Sequence, residues 1–307
     1  MRKASQTERP VVAGVPISHP DRVVFPALGA TKLDAARYYE AIGDWIVPHL
    51  KDRPLTLVRC PTGAGSAEAP GECFYMKHSK IWAPAPLRRV PIREKTKVGE
   101  YLIADSVSAV VGLVQMGVLE IHTWNSRCAD IERPDRLVID LDPGDRVEWP
   151  AIVAAARRVR KLLAAVDLQS FVKTTGGRGL HVVVPLVPRA DWSACLTFAR
   201  AVAETMAQTD PDVFTLRFAK AGRDDQILVD YLRNNRTNTS IAAYSTRAKP
   251  DAPISVPLTW TELSASQPPD QWTMPRVLRR LARLRQDPWA GYDDVKQVLP
   301  RALRRTA

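Results

Sequence analysis

The sequence predicts a mixed α/β (α+β) fold of sheets flanked by helices, gathered into one domain with two lobes. Three observations predict it. Short apolar runs that end at turn residues alternate with segments of helical apolar spacing along the whole chain. No heptad run, internal repeat, low-complexity tract or long linker divides those elements. A chain of 307 residues that is 45% hydrophobic and 25% charged has an ordinary globular composition, which argues against disorder. The expected domain runs over 13–295, between a polar, mobile tail at 1–12 and a basic tail at 296–307.

Each element has its own signal. Thr31 stands three residues before Asp34 and opens a run through Tyr38, Tyr39, Ile42, Trp45 and Ile46. That capping pattern places a helix from about Thr31 to Pro48. Pro54–Arg59 alternates like a strand, and Thr62–Gly71 is a loop of small residues. Ala104–Leu119 is apolar at helical spacing, and Leu119–Trp124 has the pattern of a strand. Arg136–Asp142 is a short apolar run stopped by Pro143-Gly144, as a buried strand entering a turn would be. Trp149–Val166 carries Ile152, Val153, Ala156, Val159, Leu162 and Leu163 on one helical stripe. Ser170–Lys173 and His181–Pro185 are strands bracketing a glycine-rich turn. Trp192–Ala207 reads as a helix and Gln226–Tyr231 as another buried strand.

The charge balance is 44 Lys+Arg against 33 Asp+Glu, a formal +11, and it points to an acidic partner such as nucleic acid. The last 32 residues hold nine basic and three acidic side chains, concentrated in Arg276–Arg285 and Arg301–Arg305. No apolar run approaches the roughly 18 residues that cross a bilayer, so no membrane association is expected, and no secretory signal opens the chain. The four cysteines form no C-x-x-C pair, and Cys60-x12-Cys73-x4-His78 fits no zinc spacing. The expectation is a reduced cytoplasmic protein without disulfides or structural zinc.

The chemistry centres on Asp140-Leu141-Asp142. Residues two apart in a strand share a face, so both carboxylates project together while Ile139 and Leu141 turn to the core. Two like charges on an apolar strand need a cation between them, and Mg²⁺ or Mn²⁺ would meet that need. Two surface acids beside a turn remain the plainer alternative. Asp230 is a further acid in an apolar strand, either a third ligand or a partner of Arg233. Three acids on two strands would suit two ions in phosphoryl transfer. Lys173-Thr-Thr-Gly-Gly-Arg-Gly-Leu-His181 offers exposed amides with Lys173, Thr175, Arg178 and His181 as donors, a cradle for a triphosphate or a plain glycine hairpin. It is not a P-loop. His181 and His122 could equally be core histidines. No G-x-S-x-G, H-E-x-x-H or K-x-D-G occurs, so serine-hydrolase, zincin and self-adenylating ligase chemistry are not supported.

Taken together, these segments resemble the polymerase domain of bacterial ATP-dependent DNA ligase D, a branch of the archaeo-eukaryotic primase superfamily. The stretches that carry the resemblance run in order from Ser18-His-Pro-Asp-Arg22 through Thr31-Lys32, Leu119–Trp124, Val138–Pro143, Lys173–His181 and Asp230–Asn234. Tyr244-Ser-x-Arg247, Pro257-Leu-x-Trp260 and Asp287–Gly291 complete it. The resemblance implies a primase-polymerase fold and a template-directed nucleotidyltransferase. Such an enzyme adds ribo- or deoxyribonucleotides (NTP or dNTP) at gapped or broken DNA ends in non-homologous end joining. It implies two Mn²⁺ or Mg²⁺ ions on Asp140, Asp142 and Asp230. It implies a nucleotide pocket of His122, Lys173, Thr175, Arg178, His181, Arg233 and Arg247. Arg22 and Lys32 fall where the family holds the DNA 5′-phosphate across a gap, with Arg22 in place of the usual lysine. Phe74 and Tyr75 fall where a phenylalanine pair stacks on the template. The end-binding protein Ku and an ATP-dependent ligase are the implied partners, and the nucleoid the implied place of work. The rivals are a de novo primase of the same superfamily and a non-catalytic DNA-end-binding module. The 5′-phosphate cations argue against the first, and an intact acid triad near DNA phosphates argues against the second.

Overall fold

The structure is a computed structural model and describes residues 9–79, 82–266, 268 and 271–300. Among these, the chain forms two compact units, as the two expected lobes require. One is drawn from the described residues of 9–51, 55–121 and 248–252, the other from those of 52–54, 122–247 and 253–300.

In the first unit, β1 (Val11–Val12) and β2 (Val15–Pro16) form a small antiparallel pair, followed by β3 (Val23–Phe25) and β4 (Ala30–Thr31). Val11 and Val12 are therefore folded, inside the stretch expected as a tail, while residues 1–8 of that tail lie outside the described residues. The Thr31 signal is met in full. Thr31 Oγ1 accepts from the Asp34 amide, and Asp34 Oδ2 accepts from the Thr31 amide, at 3.2 and 2.9 Å. The single helix expected to Pro48 is two, α1 (Lys32–Ala41) and α2 (Gly43–Leu50), because Ile42 leaves helical geometry at φ −101°, ψ 13°. β5 (Leu55–Arg59) pairs with β6 (Phe74–Met76), and the hairpin β7 (Arg88–Arg93) and β8 (Val98–Ile103) follows. α3 (Val107–Gln115), capped by Ser106, packs on α1 and α2. It ends before β9 (Val118–Thr123), so the helix expected over 104–119 is shorter at both ends.

Cys60 and Cys73 are joined by a disulfide between the end of β5 and the start of β6. This corrects the expectation of a disulfide-free chain. The β5–β6 pairing sets Arg59 opposite Phe74, which brings the two cysteines side by side. His78 takes no part; its Nε2 meets Glu94 Oε1 at 2.7 Å.

The second unit is built on one six-stranded sheet. Its central strand β10 (Arg136–Pro143) is followed by α4 (Trp149–Ala164), β11 (Phe171–Thr174), β12 (Leu180–Pro185) and α5 (Trp192–Thr209). Then come β13 (Phe214–Thr215), β14 (Ile227–Asp230), β15 (Ser240–Ile241), β16 (Pro257–Leu258) and α6 (Met274–Leu281). The sheet order is β13-β14-β10-β12-β11-β16, antiparallel except for β13 beside β14. Its strands are almost wholly buried, which is why they read as continuous apolar runs. α4 and α5 pack against β10, and Val138, Phe171 and Val183 form a cluster with Trp289. Gln297 is bonded to Val187, Gln169 and Pro185, so the fold extends past the expected boundary at 295. Residues 301–307 of the expected basic tail lie outside the described residues.

Where β14 stops, a side chain takes over its hydrogen bonds. Asn234 Oδ1 accepts from the Val138 amide at 2.8 Å and Nδ2 donates to the Val138 carbonyl at 2.7 Å. The chain thereby leaves the sheet directly after Asp230 without stranding the β10 backbone.

Candidate active site

β10 places the acids. Asp140 stands opposite His181 on β12 and opposite Asp230 on β14, and His181 stands opposite Lys173 on β11. Directly opposed residues share a face, so Asp230, Asp140, His181 and Lys173 form one row across four adjacent strands. Asp142, two residues along β10, projects from the same face. Ile139, Leu141, Val182 and Val229 alternate to the other side, each 1% exposed or less.

Every carboxylate of the row faces a cation. Arg233 Nε lies 2.9 Å from Asp140 Oδ2 and 3.1 Å from Asp230 Oδ2, bridging the two. Arg223 donates to Asp142 Oδ2 at 2.6 Å and to the Asp142 carbonyl at 3.1 Å. Burial alone would raise the Asp140 carboxyl, but His181 and Arg233 hold it well below the usual range. Asp230 goes the other way. Burial, with Asp140 and Asp142 nearby, pushes it up to about 6 against the pull of Arg233. His181 is held down to about 4, first by burial and then by Lys173, so at neutral pH it is an uncharged imidazole beside the Asp140 carboxylate. Its Nε2 is 3.4 Å from Asp140 Oδ2, and its Nδ1 is buried without a hydrogen-bond partner.

The glycine-rich turn adopts a built conformation. Thr175 Oγ1 accepts from the Gly177 amide and donates to the Gly179 carbonyl, both at 3.2 Å, which closes the turn. Gly176 has φ +68°, and a Cβ there would lie 2.7 Å from Arg247 Cγ; a Cβ at Gly179 would strike the Leu141 carbonyl. Arg247 donates to the Thr175 carbonyl at 3.0 Å, so it belongs to this turn although 72 residues separate them.

Two expected donors are engaged elsewhere. Lys173 is buried and donates to Ser255 Oγ at 2.7 Å; burial and then Arg136 push its ammonium well below its ordinary pKa. Arg178 turns to the Asp145 and Val147 carbonyls at 3.0 and 2.6 Å, tying the turn to the segment after β10. His122 is buried at the end of β9, opposite Ile241. Arg223 went unrecognised in the sequence, since nothing near it marks a loop arginine as the counter-ion of an acid 81 residues away.

The first unit holds a different arrangement. Lys32 is 6% exposed, and its ammonium donates to the Gln115 carbonyl at 2.9 Å and approaches Ser18 Oγ at 3.4 Å. Burial, then the charge of Arg22, pushes its pKa down to about 8. Arg22 itself donates to the Pro61 carbonyl at 2.6 Å. The two cations are thus neighbours, with neutral acceptors and no carboxylate bound to either among the described residues. Phe74 and Tyr75 are 46% and 67% exposed. As neighbours on β6 they point to opposite faces, so one base cannot lie against both. Phe74 lies under the Arg59 guanidinium at 5.8 Å.

Among the described residues no group of three or more His, Cys, Asp or Glu converges as a ready-made ion cage. The donor chemistry nevertheless fits hard divalent ions. Asp140, Asp142 and Asp230 offer oxygens on one face, and each is satisfied at rest by a guanidinium where a cation belongs. Carboxylates on two buried strands beside a hydroxyl-closed glycine turn suit phosphoryl transfer to and from nucleotides, and the chain is a polymerase-type nucleotidyltransferase. More closely, it belongs to the family described as LigD, primase-polymerase domain, whose family model matches residues 31–289. It is 39% identical over 307 residues to the multifunctional non-homologous end joining protein LigD of Pseudomonas aeruginosa, a match of 99% of this chain and 36% of that protein. It is 28% identical to the bifunctional end joining protein LigD of Bacillus subtilis, over 90% of this chain and 44% of that protein. The chain therefore spans less than half the length of these relatives. It also superposes on the polymerase domain of Mycobacterium tuberculosis ligase D in complex with DNA, with a TM-score of 0.83 and 30% identity. That match covers 91% of this chain and 98% of the other.

Proposed function

We propose that this chain adds ribo- or deoxyribonucleotides to 3′ ends at gapped or broken DNA during non-homologous end joining. It would do so under the direction of a template strand, in the cytoplasm at the nucleoid, alongside Ku and an ATP-dependent ligase. The observation that carries the reading is the cross-strand row of Asp230, Asp140 and His181 with Asp142 on the same face.

Asp140, Asp142 and Asp230 would hold two Mg²⁺ or Mn²⁺ ions, which when bound lower the pKa of an attacking hydroxyl and neutralise charge on the phosphates. This chain's own residues do the rest. Arg233 releases the carboxylates it bridges and remains within reach of an anionic group beside them. On meeting a triphosphate, the Thr175 hydroxyl would turn its proton from the Gly179 carbonyl to a phosphate oxygen while still accepting from the Gly177 amide, with Arg247 bonded to the Thr175 carbonyl. His181, neutral and with a bare Nδ1, donates to a phosphate oxygen only after taking up a proton there. Binding a polyanion would supply the field for that. Lys173, at the far end of the row, is held by Ser255 and acts there as a positioning residue. In the first unit, Arg22 and Lys32 receive a terminal 5′-phosphate, whose charge of about −2 replaces the counter-ion they lack.

Extension of a primed, gapped duplex tests the reading. Asp140→Ala should abolish nucleotide addition while leaving the affinity for the duplex within about twofold, and normal extension by a folded variant would overturn it. Extension of an unprimed strand would favour the primase alternative.

A further inference from the structure

Outside the row and the phosphate pocket, the described residues gather several arginines around α6. A cavity of about 600 Å³ there is lined by Arg276, Arg279, Arg280 and Arg283, together with the hydroxyl residues Thr261 and Ser264. Spacings of three and four residues set the four arginines on one helical face, and the turn continues past the helix through the Leu284 amide on the Arg280 carbonyl. The arginines divide into two kinds. Arg280 is built in: its side chain is 11% exposed, it donates to Glu262 Oε1 at 2.7 Å and to the Pro257 carbonyl at 3.2 Å, and it stacks on Trp272 at 5.3 Å. Glu262, the one acid of the lining, is further held by the Thr259 amide at 2.8 Å. Arg279 and Arg283 are exposed, and their guanidiniums have no partner among the described residues. Arg276 lies over Trp272 at 5.6 Å, which orients it without neutralising it.

We propose that this cavity is a second, remote nucleic-acid site that takes backbone phosphates of the DNA whose end occupies the acid row; it rests on the reading of the chain as a DNA-extending polymerase. Charge complementarity favours a phosphodiester backbone, because among the described residues the one acid of the lining is already consumed and two arginines are left unopposed. Trp272 is 8% exposed and covered by arginines, so a base cannot stack on it and the contact is with backbone alone. Arg276 to Arg283 spans about 10 Å along the helix, room for two or three phosphates of one strand. The position fits as well. Pro257 on β16, to which Arg280 is bound, lies three strands from β10, about 14 Å at ordinary strand spacing. That corresponds to roughly four or five nucleotides from the reacting end at 3.4 Å each. Phosphate contacts at this distance carry no sequence information, so the site would measure duplex length.

The test is the affinity of Arg279→Gln/Arg283→Gln for gapped duplexes, followed by fluorescence anisotropy over a range of salt. With long arms, binding should weaken on the order of tenfold at low salt, and the slope of log K against log salt should become shallower by about 1.8, two phosphates' worth. With both arms cut to about three base pairs, variant and unsubstituted protein should bind equally. Arg279→Lys/Arg283→Lys should restore most of the slope, which separates charge from folding. Equal slopes for variant and unsubstituted protein on long arms would overturn the site while leaving the polymerase reading intact. Arginine-dependent binding of a poly-glutamate peptide, with DNA affinity unchanged, would overturn it in favour of a protein partner. Failure of the unsubstituted protein to bind any duplex would overturn both readings.

Discussion

The acid row on β10 and the cation pair at Lys32 are opposites in charge and also in how that charge is satisfied. In the row, each carboxylate meets a guanidinium of the protein itself, Arg233 for Asp140 and Asp230, Arg223 for Asp142. At Lys32 and Arg22, like charges face each other over carbonyl and hydroxyl oxygens. The row carries its own counter-ions, although they leave Asp230 under-compensated, and it must exchange them to work. The cation pair is strained as it stands and gains stability from the anion it receives. A group already neutralised is ready to release a cation, and one left uncompensated is ready to bind.

The largest expected effect comes from removing a member of the row without removing its shape. Asp230→Asn keeps an oxygen for the Leu232 amide, now held at 2.8 Å, but loses the charge. Primer extension should fall at least a hundredfold. Stability should move the other way. A carboxyl raised from 3.8 to about 6 binds more protons in the folded than in the unfolded state between those values. Folding stability therefore falls as pH rises through that window, by up to about 3 kcal/mol in metal-free protein. Asp230→Asn removes that loss and should be more stable than the parent at pH 7 by about 1–3 kcal/mol, read by thermal unfolding. A less stable variant would make Asp230 a structural acid.

Thr175→Ala and His181→Ala should each raise the nucleotide KM about tenfold to a hundredfold while leaving duplex affinity nearly unchanged, since a charge-assisted hydrogen bond is worth about 1.5–3 kcal/mol. Unaltered nucleotide kinetics in both would return the segment to a plain hairpin.

The cation pair should show itself through pH. Lys32 has its pKa lowered to about 8, so it is charged below that value and loses its proton above it. Phosphate favours the charged form. The preference for a 5′-phosphorylated over a 5′-hydroxyl gap should then be full near pH 7 and fade as pH rises through 8 toward the raised pKa of the bound state. Lys32→Arg should flatten that dependence, and a pH-independent preference in the parent would detach Lys32 from the phosphate.

The smallest effect is expected at β6. Tyr75→Ala should weaken duplex binding by about 1–3 kcal/mol if the ring stacks on a base, and by nothing measurable if only Phe74 does.

What the sequence disclosed follows from where the constraint lies. Asp140, Asp142 and Asp230 were legible because carboxylates stand out in apolar strands, where a charge needs a partner. The helix start at Thr31 was legible because its cap is local. The β7–β8 hairpin was not, since Arg88-Arg-Val-Pro-Ile-Arg93 buries only Ile92 and shows no alternation. The disulfide depended on a strand register, and Arg223 on a loop's position, neither of which is encoded in spacing. Lys173 and Arg178 had the right chemistry for phosphate, but Ser255 and the Asp145–Val147 carbonyls, distant in sequence, hold them.

The Asn234 side chain does for β10 what an ordinary strand residue does with its backbone. Because sheet faces alternate at every residue, sliding β14 by one position along β10 would carry Asp230 away from Asp140 and drive it among Ile139 and Leu141. A four-residue strand has few bonds of its own to resist that. The carboxamide gives and takes at the same residue, Val138, and a slipped partner could satisfy neither half of it. It therefore acts as a vernier stop, fixing the phase of one strand against another. Asn234→Leu, similar in bulk, would leave the strands their apolar fit but remove the mark by which they are aligned.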